Sequence, residues 1–453
     1  MPRRNLTWIL AIGVLWLISS LKTNREAQVL SYVLEEIEHR ALEPADRKTL
    51  LAGALEGMME KLDPYSVYLP PQEFQEFEEE LDQQFGGIGV HVLVDPKTQQ
   101  LTVVTPLYGS PAYQAGIRAG DRIVRIDGQT TQGMSLQAAA QRLRGKPGQP
   151  VQLTIQRPGQ PEPFDLTLVR AVIQVDSVLG DRRDAEGRWQ FWLPGYDRIG
   201  YIRIENFGQQ TVQEFRRAMD GLVQGGLKGL VLDLRNNPGG LLSAAVGICE
   251  MFLKEGTIVT TRDRSGQIKR EYTASGIHVY HGFPIAVLVN GYSASASEIV
   301  AACLQDHRLA VIVGERTYGK GTVQEIIELE RSVGAVKLTT ASYWRPSGQD
   351  INRSKTATEK DPWGVRPDPG YEVPLEEKER LRLVRWRQRR DALQVLQGED
   401  KQSDEFDPND LHVDRQLMRA VQYIQQHQST NDAVNVSKPQ RTYSLLRVRF
   451  PCL

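Results

Sequence analysis

The sequence predicts a multidomain α/β chain, on three observations. At 453 residues it exceeds one compact domain, and roughly 150 residues per domain points to about three. Hydrophobic periodicity changes twice along the chain. It is helical at first, has a period of two from Gly86 to about Val172, and from Ile199 to about Val373 becomes apolar strands alternating with helices. Strands that are apolar throughout and separated by helices make a mostly parallel sheet with crossover connections.

In chain order, Arg3 and Arg4 precede the apolar run Trp8–Ile18, which is shorter than the ~20 residues a membrane-spanning helix needs. Residues 1–24 therefore read as an export signal or, since no A-x-A site follows Ile18, an uncleaved anchor. The body is expected to be exported, periplasmic or anchored facing the periplasm, with membrane contact only through this segment. Residues 25–84 form a helical segment. Val29, Leu30, Val33, Leu34 and Ile37 share one helical face, Leu50, Leu51, Leu55, Met58 and Met59 another, and Pro44 and Asp63-Pro64 punctuate them. Residues 85–173 are a small β-rich domain with one helix, Ser135–Leu143. Residues 190–375 hold strands Ile199–Ile204, Leu230–Leu234, Ile285–Val289 and Ala310–Val313, with helices Thr211–Leu222, Ser243–Leu253 and Ser297–Leu304 between them. Ligands of such sheets gather at the strand C-terminal ends. Residues 376–453 form a helical tail. In it Glu376–Arg390 carries six arginines beside three glutamates and reads as a solvated helical face. Gly398–Asp410 is polar, Leu411–Gln426 is a last amphipathic helix, and the final residues are expected to be disordered.

Composition excludes several function classes. Fifty-five basic against 56 acidic residues leave a formal charge of −1, so a polybasic nucleic-acid binder is disfavoured. Cys249, Cys303 and Cys452 are odd in number and widely separated, which supports neither a disulfide framework nor a CxxC metal site. His278 and His281 are the one close histidine pair and lack further ligands at metal spacing. No metal or other cofactor is expected.

Four motifs carry chemistry. Phe85-Gly-Gly-Ile-Gly-Val90 sets glycines before a strand, so that successive N–H groups converge where a peptide carboxylate can be held while its strand joins a sheet edge. It is followed by Ser110-Pro-Ala-Tyr-Gln-Ala-Gly-Ile-Arg-Ala-Gly-Asp-Arg-Ile-Val-Arg-Ile-Asp-Gly128, and together they resemble a PDZ domain. The peptide-binding residues are then Gly86, Gly87, Ile88, Gly89 and Val90. Leu232-Asp-Leu-Arg-Asn-Asn-Pro-Gly-Gly-Leu241 ends a buried strand and opens a helix, where the Gly239-Gly240 backbone suits an oxyanion hole. Val289-Asn-Gly-Tyr-Ser-Ala-Ser-Ala-Ser-Glu-Ile299 presents Ser293, Ser295 and Ser297 between alanines; it serves either a nucleophile, whose next N–H binds the oxyanion, or a helix N-cap. Gly314-Glu-Arg-Thr-Tyr-Gly-Lys-Gly-Thr-Val-Gln324 supplies Lys320. A serine hydroxyl needs a base, no histidine lies in these motifs, and burial can lower a lysine's pKa enough for it to serve. A phosphate loop of the GxxxxGK[ST] type fails at Gly321.

In this order the motifs resemble the C-terminal processing (tail-specific) proteases, Ser/Lys peptidases with an embedded PDZ domain, from about Asp63 to Val373. The likeness includes the Leu62-Asp-Pro-Tyr-Ser-x-Tyr68 lead-in and the strand and turn Leu338-Thr-Thr-Ala…Pro346-Ser-Gly348. The fold implied is a ClpP/crotonase-like αβ protease core with an inserted PDZ domain and helical N- and C-terminal segments. The family's nucleophile precedes its lysine by 25 positions, and 320 − 25 = 295 selects Ser295. Its glutamine four residues after the lysine falls on Gln324, its oxyanion donors on Ala296 N–H and the Gly239-Gly240 turn, and an acidic residue of structural role on Asp306. Tyr292 stands where many relatives have a smaller or charged residue. The resemblance implies an exported endopeptidase that recognises protein or peptide C-termini and cleaves through an acyl-enzyme. Arg144, at the end of the PDZ helix, is expected either to couple peptide binding to dyad assembly or to cap its own helix. The amphipathic helices at both ends suit a homodimer. A catalytically silent PDZ scaffold is the reading from another class, and a thioester enzyme of crotonase type would leave Ser295 and Lys320 idle. A trypsin-like PDZ protease does not fit the parallel αβ pattern.

Overall fold

A computed structural model of the chain describes residues 25–95, 98–184, 187–277, 279–330, 332–391, 407 and 409–428. The expected export segment, nearly all of the polar stretch before Leu411, the C-terminal residues, His278 and Cys452 lie outside them. The chain forms two compact units, residues up to 75 with 324–339, and 76–323 with 340 onward.

In the first unit, helices α1 (Arg25–Arg40) and α2 (Arg47–Glu60) flank the break at Pro44. Asp46 caps α2 by accepting from the Thr49 N–H at 3.2 Å, supplying one of the partners a helix start lacks. Neither helix has a fully buried residue, and Val29, Leu30 and Val33 stay exposed. After α2 the Asp63 carboxylate accepts from the N–H groups of Tyr65 (2.8 Å) and Ser66 (3.0 Å), a side-chain turn that Asp before Pro favours. That turn launches β1 (Val67–Leu69), antiparallel to residues 335–337 with Val67 opposite Lys337.

Helix α3 (Pro71–Asp82) leads into the β-rich domain. Strand β2 (Gln84–Gly87) is followed by β3 (Val90–Val94), β4 (Leu101–Pro106), β5 (Arg122–Ile126), helix α4 (Leu136–Leu143), β6 (Pro150–Gln156), β7 (Phe164–Val169) and β8 (Ala171–Gln174). The main sheet has the order β3-β4-β5-β6-β7, and β2 pairs antiparallel with β8, bringing the two ends of the domain together. Alternation places Val103, Ile123, Leu153 and Ile155 in one core, each 1% exposed or less.

The second sheet has the order β9-β10-β11-β14-β15. Its strands are β9 (Val178–Leu179), β10 (Ile199–Ile204), β11 (Gly229–Asp233), β14 (Ile285–Val289) and β15 (Val311–Gly314); all pairs are parallel except β9 with β10. Every residue of β10, β11, β14 and β15 is buried, because helices cover both faces. Ile202, Leu232 and Val287 meet helices α5 (Thr211–Gln224), α6 (Leu242–Glu250) and α7 (Ala296–Asp306). Tyr201, Val231, Ala286 and Val313 face the other way, against Trp386 of α8 (Glu377–Asp391) and Leu417, Val421 and Ile424 of α9 (Arg415–His427). Gly229 permits that approach, since a Cβ there would stand 2.2 Å from Ile424 Cγ2.

Two departures from expectation follow from composition. Helix α8 is more than a solvated face, for Trp386 is fully buried and Arg390, 4% exposed, pairs with the buried carboxylate of Asp181. Charge density concealed an inward stripe, because arginines reach past an apolar surface to a partner. The hairpin β12 (Thr257–Arg262) and β13 (Ile268–Thr273) was not foreseen; β13 reads Ile-Lys-Arg-Glu-Tyr-Thr and is almost wholly exposed, so it lacks the apolar alternation that marks a strand. Strands β16 (Thr322–Glu328) and β17 (Ala335–Trp344) pair with each other, and β17 also pairs with β12 through residues 342–344.

Candidate active site

The chemistry-bearing motifs of the αβ sheet lie at its strand C-terminal ends, where the sequence pattern places them. Strand β11 ends in Asp233, and the chain turns through Asn236, whose φ is 60°, to Gly239 and Gly240, at 107° and 140°. Those dihedrals are open to glycine and strained for other residues. A Cβ on Gly239 would lie 2.8 Å from Ser295 Cβ and 3.1 Å from Ala296 N, so the turn packs directly against the serine loop. Gly240 faces elsewhere, with Phe207 O 2.3 Å from its would-be Cβ. Of the two glycines, Gly239 is the one that lies against the serine loop. Its N–H donates to Asn237 Oδ1 at 2.8 Å.

The three serines are not equivalent. Ser293 Oγ donates to Leu234 O (2.8 Å) and accepts from Asn290 N–H (3.0 Å), while Ser297 Oγ donates to Asn237 O (3.0 Å); both residues are fully buried. Their hydroxyls hold the serine loop to the Leu234–Gly240 turn. Ser295 sits between them at the start of α7 with φ 54° and ψ −112°, a backbone conformation costing on the order of 1–3 kcal/mol for a residue with a Cβ. Such strain at a strand-to-helix turn is typical of nucleophile positions.

Glu298 supplies what the sequence reading missed. Fully buried, it accepts four hydrogen bonds: at Oε1 from Thr317 Oγ1 (2.6 Å) and Gly319 N–H (2.7 Å), at Oε2 from Ser295 N–H (2.8 Å) and Lys320 N–H (2.9 Å). One carboxyl group thus ties the serine turn to the lysine loop. Burial pushes its pKa up to about 7, although all four donors work in the opposite direction. The Ser-x-x-Glu spacing of a capping box was the signal available in the sequence.

The remaining candidates are distributed. Gln324 belongs to the other unit, where its Nε2 donates to Thr339 Oγ1 at 3.3 Å. Asp306 pairs with Arg345 and accepts from Ser347 N–H at 3.0 Å, pinning the Arg-Pro-Ser turn. In the β-rich domain, Ile88, Gly89 and Val90 line a groove of about 220 Å³ with Phe85, Leu143 and Arg144. Gly89 has φ 72°, and a Cβ there would lie 2.3 Å from Ser110 Cβ. Gly86 and Gly87 belong to β2 and pair with Val172 and Ala171. Arg144 ends α4 as its C-cap; its guanidinium lies 5.2 Å from the Phe85 ring centroid and 4.0 Å from Glu79.

A family model described as Peptidase family S41 matches residues 198–369, and one described as PDZ domain matches residues 102–157. The carboxy-terminal-processing protease of Bartonella bacilliformis is 36% identical over 379 residues, 82% of each chain. The carboxyl-terminal-processing protease of Synechocystis sp. is 38% identical over 323 residues, 71% of each. Among solved structures, the photosystem II D1 C-terminal processing protease is 33% identical with a TM-score of 0.43, covering 76% of this chain and 86% of that one. With relatives of this identity over more than two thirds of its length, the chain belongs to the carboxy-terminal-processing serine peptidases of family S41 and carries their PDZ domain.

Proposed function

We propose that this protein is an exported endopeptidase that captures the free C-terminus of a protein in its PDZ groove and cleaves through a Ser295/Lys320 dyad. The observation that carries the proposal is the serine turn itself: Ser295 is strained, its two neighbouring serines are committed to backbone carbonyls, and Glu298 fastens its N–H and that of Lys320 to one carboxyl group.

The neutral Lys320 amine takes the proton of Ser295 Oγ as that oxygen bonds to the scissile carbonyl carbon. The oxyanion accepts from Ala296 N–H and from Gly239 N–H, which exchanges its Asn237 partner for the substrate. Collapse breaks the C–N bond, and the lysine ammonium returns the proton to the departing amine. Water then attacks the acyl-enzyme with Lys320 again as base, releasing the acid and restoring Ser295. The family resemblance assigns Gln324 to orienting the amine, and Arg144, at the end of the PDZ helix, is the residue proposed to relay peptide capture. Residues 1–24 support export, and the exposed apolar face of α1 supports a homodimer, to be checked by cell fractionation and by light scattering of the purified chain.

Cleavage of an unstructured protein with an apolar C-terminus by wild type, Ser295→Ala and Lys320→Met tests the dyad. Each variant should lose at least ~10³-fold in kcat while remaining folded. Undiminished cleavage by either variant refutes it, and capture without cleavage by every form favours the silent PDZ scaffold.

A further inference from the structure

Two motifs of the sequence take no part in the proposed chemistry: the lead-in Asp63-Pro-Tyr-Ser66 and the stretch Leu338-Thr-Thr-Ala341 of β17. They meet at Gln324, and Asp63, Ser66, Thr339 and Gln324 all belong to one compact unit. Thr339 is held twice. Its N–H donates to Ser66 Oγ at 3.1 Å, and its own hydroxyl donates to Asp63 Oδ1 at 3.1 Å. Ser66, 3% exposed, in turn donates from Oγ to Asp63 Oδ2 at 2.6 Å, so the carboxylate, the serine and the threonine close a ring. Gln324 joins from outside, its Nε2 donating to Thr339 Oγ1 at 3.3 Å.

The proton inventory gives this chain a direction. A carboxylate only accepts, and a threonine hydroxyl has one proton. Donated to Asp63, that proton leaves Thr339 Oγ1 with lone pairs alone towards Gln324, so only the NH₂ prong of the amide can meet it. The two prongs of a carboxamide have nearly the same shape, so hydrogen-bond partners decide which way it is flipped, and Oε1 is turned away from Thr339. Asp63 stays in the accepting state. Burial raises its pKa, but the bonds from Ser66, the Tyr65 N–H and Thr339 outweigh burial and hold it below the usual carboxylate range.

That direction matters for a lysine base. Gln324 stands four residues beyond Lys320 on the same chain. An amide oxygen can accept an N–H from the lysine amine and leave the nitrogen lone pair for Ser295 Oγ, whereas an NH₂ group would donate to that lone pair and occupy it. We propose that Asp63 and Thr339 are positioning residues of the peptidase, which set the flip of the Gln324 amide so that Oε1 and not Nε2 is presented to the Lys320 amine. The inference rests on the Ser295/Lys320 reading, and two measurements keep their failures apart.

Thr339→Val removes the hydroxyl, keeps the side chain's shape and the N–H bond to Ser66, and suits a strand. Thr339→Ala removes it a second way, and Thr339→Ser restores it. Steady-state cleavage of a quenched fluorogenic peptide with a free apolar C-terminus is followed for these variants alone and combined with Gln324→Ala. Valine and alanine should each lower kcat at least ~10-fold with KM within ~2-fold, serine should stay within ~3-fold of wild type, and in the Gln324→Ala background the three should be indistinguishable. Independently of cleavage, the Lys320 amine is titrated in Ser295→Ala protein by NMR of 13C-labelled lysine, its signal assigned by loss in Lys320→Met. A donor facing the amine disfavours the ammonium, so Thr339→Val should move the titration to lower pH, and Gln324→Ala should cancel the difference. Glu298, which accepts from the Lys320 N–H, is common to every variant. Unchanged kcat in Thr339→Val, or the same loss with and without Gln324, overturns the proposal while Ser295-dependent cleavage keeps the peptidase reading. An unshifted titration overturns it whatever the kinetics. A shifted titration in a protein that cleaves nothing keeps the positioning and refutes the dyad.

Discussion

Among the individual residues, Glu298 has the most consequential surroundings. Each of its oxygens accepts from two donors, so Glu298→Gln must turn an NH₂ group towards one pair, leaving at least one buried backbone N–H facing a donor. A kcat loss on the order of 10²-fold is expected with a lowered melting temperature, read from steady-state kinetics beside a thermal scan. Its titration has a definite sign. A carboxyl group whose pKa rises from 4.5 to about 7 on folding holds a proton that the unfolded chain releases, so its contribution to stability declines as pH rises through that window. Wild type should therefore lose on the order of 3 kcal/mol relative to Glu298→Gln between pH 4.5 and 7, by denaturant unfolding at each pH. Ser295 and Lys320 stand out as candidates in the sequence because alanines flank the serine in a strand-to-helix loop and glycines flank the lysine in the loop between β15 and β16. Glu298 does not, since a glutamate three residues into a helix reads equally well as a solvated cap, and its burial depends on the Thr317–Lys320 loop folding over it.

Helices α8 and α9 show how the tail supports the site. Arg235, two residues beyond β11, grips Asp233 through Nε (3.0 Å) and Nη2 (2.6 Å), and Asp414 at the start of α9 through Nη1 (2.9 Å) and Nη2 (2.7 Å). Burial alone would raise the Asp233 pKa, but the adjacent guanidinium holds it below the usual carboxylate range. Removing one partner strands a buried charge. Asp414→Ala should cost about 3–5 kcal/mol in denaturant unfolding, whereas a change at an exposed ion pair, such as Asp197→Ala, should leave the transition nearly unmoved. The parallel strands were readable because each is apolar along its whole length. Helix α8 was misread, because nothing local tells an arginine bound to water from one bound to buried Asp181. The β12–β13 hairpin escaped notice because solvent covers β13.

For the molecule as a whole, the proposed function assigns capture and cutting to different domains, and this division is testable without altering the enzyme. A carboxylate held by backbone N–H groups is recognised through its charge. Amidating the substrate's C-terminus should raise KM about tenfold and leave kcat within twofold, and an equal fall in both would place recognition at the catalytic loops instead. The two-part plan was legible because the PDZ and peptidase motifs are each local in sequence. The central claim is that Ser295 carries the acyl group. Intact-protein mass spectrometry, with peptide mapping after acid quench of a slowly turned-over peptide ester, measures that directly. The account predicts a single acyl adduct on Ser295, absent in Ser295→Ala; an adduct on another residue, or one that persists in Ser295→Ala, would contradict it.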